Sequence, residues 1–102
     1  MISPYVLAEL AYLVATRHGV DAELSVLTGI AGGAWLLPSF GSGQLTKSIS
    51  VIERYRDQEI GLADVSLLVL ADQFGSRRIL TLDHRHFDII RPIGGGRFSL
   101  LP

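Results

Sequence analysis

Apolar positions along this chain fall into helical stripes broken by short continuous runs. Ser3-Pro4 predicts a helix start, with Ser at the cap and Pro, whose fixed φ suits a helix, at the first helical position. That helix runs to about His18 and is stopped by Gly19. A second begins near Asp21 and ends in Gly32-Gly33. Trp35-Leu36-Leu37, closed by Pro38, reads as a short buried strand. Ser42 opens an amphipathic helix of about fifteen residues, with Leu45, Ile49, Ile52 and Tyr55 as its apolar stripe and Lys47, Glu53, Arg54, Arg56 and Asp57 facing outward. Gly61 to Phe74 is the most apolar helix, stopped by Gly75. Arg78 to Leu82 is a strand, and Phe98 to Leu101 a final one after the Gly94-Gly95-Gly96 turn. Helices separating short apolar strands predict an α/β layered sheet, at least partly parallel. The sequence carries no internal repeat and no low-complexity segment.

At 102 residues the chain has room for one domain and one modest core. Nine basic against ten acidic side chains create no global basic field, so nucleic-acid binding must use a local patch. Counting Gly as apolar and leaving Tyr out, the apolar share is roughly 56%, above the ordinary 45–50% or so. Such a surplus favours a partner or a further piece of the domain. The absence of Cys excludes disulfides and thiolate metal sites. Residues 24–46 carry no charge, but their glycines and Pro38 are turn chemistry rather than a membrane span. The start has no basic leader and Glu9 interrupts its apolar run, which argues against a signal peptide and for a cytoplasmic protein.

Three acids sit among apolar neighbours, where a carboxylate loses hydration on folding and needs a donor, a counter-charge or a metal. Asp83 ends the clearest strand, and open parallel sheets bind ligands beyond the carboxyl ends of their strands; an ordinary turn Asp has the same local look. Asp64 lies in the first turn of its helix, where the dipole alone can account for it, yet its neighbours three and four positions on are Leu67 and Leu68. Glu9 shares a face with Tyr5, Tyr12 and Leu13, and by itself reads as a solvated or tyrosine-bonded side chain. Converging carboxylates without thiols point to a hard, oxygen-loving cation such as magnesium. His84 and His86 with Asp83 could suggest zinc or nickel, but this is a weak pattern, and such histidines are more often surface or substrate-contacting. The glycine run lacks the marks of a phosphate loop. Arg85, next to Asp83, is the cation best placed for a phosphate backbone.

The segments Ser3-Pro4-Tyr5-Val6-Leu7-Ala8-Glu9-Leu10, Gly61-Leu62-Ala63-Asp64 and Leu80-Thr81-Leu82-Asp83-His84-Arg85-His86-Phe87, in that order, resemble a PIN domain, and more narrowly the VapC ribonuclease toxins of bacterial toxin–antitoxin pairs. The resemblance covers essentially the whole chain, so residues 1–102 would form a partial PIN domain. It implies a PIN-like three-layer α/β sandwich around a short, mostly parallel sheet. It also implies an acidic pocket for Mg²⁺ or Mn²⁺, cleavage of single-stranded or looped RNA, homodimers, and silencing by a cognate antitoxin. Carried onto matching positions, Glu9, Asp64 and Asp83 are the catalytic and metal-binding acids, with Arg85 and His86 beside the RNA.

The chain departs from the family at its start. The resemblance implies a first, central strand ending in an Asp, then helices, before the segment matching Ser3-Pro4; here Met1 and Ile2 directly precede it. Such a strand would make some ten ladder hydrogen bonds of about 0.5–1.5 kcal/mol each, against a domain stability of about 5–15 kcal/mol. Its loss leaves strand edges open. Either the recorded start is internal to a longer gene or the gene is decayed, and the competing reading is a catalytically impaired toxin that only binds an antitoxin or another toxin subunit. A phospho-acceptor domain fits poorly, with no acidic pair near the start.

Overall fold

A computed structural model describes residues 1–80, 93, 96 and 99–101. Four helices carry most of it: α1 (Pro4–His18), α2 (Val20–Ala31), α3 (Ser42–Arg54) and α4 (Leu62–Phe74), with a single 3₁₀ turn at Arg56–Gln58 before α4. Two short strands, β1 (Arg78–Leu80) and β2 (Ser99–Leu101), pair in parallel, Ile79 opposite Leu100. Among the described residues the architecture is therefore mainly helical, with one two-stranded parallel ribbon.

The ends of α1 follow from its chemistry. Ser3 Oγ accepts the Val6 N–H at 3.1 Å, which satisfies a donor the first turn leaves orphaned. Gly19, at φ +92°, closes α1 and lets α2 begin one residue later, a turn that a side chain would strain.

Helix α4 is the centre of the molecule. Every residue from Val65 to Ala71 is buried, because the helix packs on both sides. Its Leu67, Leu70 and Ala71 join Met1, Ile2, Val6, Ile30 and Ile79, while its Val65, Leu68 and Val69 join Val51 and Ile60. A helix apolar all round is one that belongs in a core. Among the described residues no helix is long and apolar enough to cross a membrane.

Two expectations are corrected. The stripe Leu45, Ile49 and Ile52 is not the buried face of α3: these side chains are 43%, 54% and 37% exposed. The buried residues of α3 are instead Ser48 and Val51, and of the expected stripe only Tyr55, just past the helix end, packs against the cluster that α4 shares with Val51. Ser48 is small and donates its hydroxyl back to the Gln44 C=O (2.9 Å), which satisfies the one polar group of a fully buried side chain. Pattern counting favoured the bulkier stripe; close packing selected the smaller one.

The second correction concerns Trp35-Leu36-Leu37, which forms no strand, and Leu36 and Leu37 are 54% and 42% exposed. A strand needs a ladder, and this segment has one rung, from Ile2 N–H to Leu36 C=O at 2.9 Å. Trp35 still packs against the first core cluster. The β1 strand matches its expected start at Arg78; Thr81 and Leu82 lie outside the described residues.

Candidate metal centre

The starts of α1 and α4 are fastened together by two hydroxyls. Ser3 and Ser66, both fully buried, share a hydrogen bond of 2.6 Å. Ser66 Oγ also lies 2.5 Å from the Ala63 C=O, and Ser3 Oγ takes the Val6 N–H, so neither buried oxygen is left unsatisfied. Leu7, Leu10 and Ala63 pack on the same apolar cluster beside this clamp.

Two of the three predicted acids stand on these two helices. Asp64 is half-buried in the first turn of α4, two residues before Ser66, where the helix N-terminus favours a negative charge. Glu9 is exposed on α1, on the face shared with Tyr5 and Tyr12, which are 38% and 70% exposed. That is the half-polar stripe expected from its spacing. Asp83, with His84, Arg85 and His86, lies outside the described residues. Among the described residues no three His, Cys, Asp or Glu side chains group as metal ligands.

Glu9 and Asp64 offer carboxylate oxygen, a hard donor that would suit Mg²⁺ or Mn²⁺ better than zinc. Sequence reasoning missed the Ser3–Ser66 clamp. Its signal was present as the one hydroxyl inside Val-Ser-Leu-Leu-Val-Leu-Ala, where a lone polar group in a core helix demands a partner. It also missed a cleft of about 480 Å³ lined by Met1, Ala34, Trp35, Leu36, Ser76 and Arg78.

No protein-family model matches the chain. A curated protein does: Ribonuclease VapC26 of Mycobacterium tuberculosis (strain ATCC 25618 / H37Rv) is 56% identical over 102 residues, which is all of this chain and 76% of that protein. Identity at that level over the whole of this chain carries the family with it. The chain belongs to the VapC-type PIN ribonucleases, a family of nuclease enzymes.

Proposed function

We propose that this chain is the toxin of a type II toxin–antitoxin pair, a metal-dependent endoribonuclease whose acids are Glu9, Asp64 and Asp83. The observation that carries the reading is the 56% identity to a ribonuclease over all 102 residues of this chain, whose Asp64 stands half-buried at a helix N-terminus. Asp64 is the direct ligand, Asp83 a ligand directly or through water, and Glu9 a ligand or the group that orients the attacking water. A bound Mg²⁺ supplies Lewis acidity and a water acidified enough to hydrolyse a phosphodiester. Arg85 and His86 hold the RNA backbone beside the acids. The reading extends to a PIN-like three-layer sandwich, homodimers, a cytoplasmic setting and silencing by a cognate antitoxin.

The test is RNA cleavage with and without Mg²⁺, or with Mn²⁺ in its place. Cleavage that needs the metal and falls at least ~100-fold in Asp64→Asn, with the fold intact by circular dichroism, is the expected result. Equal cleavage by that variant overturns the assignment. A second reading has its own support. The exposed Leu45, Ile49 and Ile52 stripe suits a module that binds an antitoxin or another toxin subunit without cutting RNA. Tight antitoxin binding with no metal-dependent cleavage would select it.

A further inference from the structure

The outward stripe of α1 carries two aromatic rings with a carboxylate between them. Tyr5, Glu9, Tyr12 and Thr16 follow one another at i, i+4, i+7 and i+11, which gathers them in one narrow arc of the helix, away from buried Val6 and Ala11. All four are exposed. At 70%, Tyr12 is the most exposed large apolar side chain among the described residues. Folding leaves its ring in water and gains nothing from burying it. A ligand with an aromatic face of its own would.

Tyr5 is 38% exposed and stands edge-on to Phe40, with centroids 5.0 Å apart and planes at 77°, so its ring is held in place. Tyr12 has no such ring neighbour among the described residues. Exposed Ala8, three residues after Tyr5 and four before Tyr12, is too small to fill the space between the rings. About 10 Å of helix axis separates the two tyrosines, with Glu9 between them. A stacked strand advances about 3.4 Å per nucleotide, so a few nucleotides bridge the two rings.

The charge of the stripe narrows the ligand. It holds no cation, and the Glu9 carboxylate repels phosphate. Attraction for a nucleic-acid backbone is therefore absent here, whereas stacking on the π-face of a base needs no charge. Paired bases keep those faces inside the duplex, so only unpaired bases can use the rings. The Ser3–Ser66 bond sets the start of α1 beside the start of α4, so the stripe begins at the end of α4 that carries Asp64.

We propose that Tyr5 and Tyr12 are substrate-binding residues, a stacking platform for unpaired RNA bases on either side of Glu9. It rests on the ribonuclease reading for the identity of its ligand. Held on both sides of Glu9, the strand presents the phosphate between the rings to the acids.

The experiment titrates the 102-residue chain, carrying Asp64→Asn so that RNA survives, with a short labelled single-stranded RNA of mixed sequence and with the same strand annealed to its complement. The single strand is expected to bind at least ~10-fold tighter than the duplex. Tyr12→Ala raises its Kd by ~10-fold or more with the melting temperature unchanged, while Tyr12→Phe, which keeps the ring, binds as the parent does. The slope of log Kd against log salt is the same in Tyr12→Ala, because no phosphate contact is lost. Phe74→Ala removes another exposed ring, at the end of α4, and leaves binding alone. In the cleaving chain Tyr12→Ala raises KM by a similar factor and spares kcat. Equal binding of strand and duplex, unchanged binding in Tyr12→Ala, or an equal loss in Phe74→Ala overturns the proposal. Cleavage whose KM ignores Tyr12→Ala also overturns it and leaves the ribonuclease reading standing. Tyrosine-dependent binding of single strands to a chain that never cleaves them sinks that reading and keeps the platform.

Discussion

Ser3 and Ser66 together make a quantitative prediction. Ser3→Ala removes the Val6 cap, worth about 0.5–2 kcal/mol, and the bond to Ser66, worth about 0.5–1.5 kcal/mol. Its total cost is therefore about 1–3 kcal/mol, softened because Ser66 keeps the Ala63 C=O. Ser66→Ala loses that shared bond and the hydrogen bond to the Ala63 C=O, each worth about 0.5–1.5 kcal/mol, while Ser3 keeps its cap, so its cost is about 1–3 kcal/mol. The double variant should cost less than the two singles together by about 0.5–1.5 kcal/mol, because the shared bond is lost only once. Urea unfolding of the four proteins measures the cycle. Additivity within about 0.3 kcal/mol would show that the two hydroxyls do not act as one clamp, and that other contacts hold α1 against α4.

Further outcomes follow from burial and backbone geometry. Ile49→Lys, on the exposed stripe of α3, should change stability by no more than about 0.5 kcal/mol, whereas Val51→Lys should unfold the chain; the opposite order would restore the face expected from periodicity. Leu67→Ala, at a fully buried position on α4, should cost about 2–5 kcal/mol by urea unfolding. Gly29→Ala, with open space around the new Cβ inside α2, should stabilise by about 0.5–1 kcal/mol, while Gly75→Ala, at φ +62°, should destabilise by about 1 kcal/mol. The Met1 ammonium is held below its ordinary pKa by burial and then by the Arg78 guanidinium. The folded chain thus binds that proton more weakly than the unfolded one. The resulting penalty is fully present below the folded pKa, and stability rises with pH until the unfolded value of about 8 is passed. Acetylating the amine should flatten that part of the pH profile.

The helices were legible because their ends are written in local chemistry. Ser3-Pro4, Gly19, Gly32 and Gly75 act within one turn of themselves, and all four fall at the boundaries they predict. The face of α3 and the state of residues 35–37 were not legible, because both depend on what lies across from them. Ser48 is buried where Ile49 is exposed, an outcome set by what packs across from α3 and not by its own sequence. Trp35-Leu36-Leu37 has the composition of a buried strand, but composition supplies no rungs.

The same division governs the acids. Asp64 could be singled out because its position in α4 is fixed locally, by Gly61 before it and the apolar run after it. Glu9 could not be raised above a solvated side chain from α1 alone, and its exposure agrees with that modest reading. A carboxylate exposed on one helix becomes a ligand only if another element brings oxygen donors to it, so Glu9 depends most on the rest of the site. This makes the pair a discriminating test of the proposed centre. If the acids act as one unit around a metal, Glu9→Gln and Asp64→Asn should each abolish most cleavage, and the double variant should be little worse than either. If Glu9 is only surface charge, Glu9→Gln cleaves normally and tightens nothing, and the centre must be rebuilt from Asp64 and Asp83.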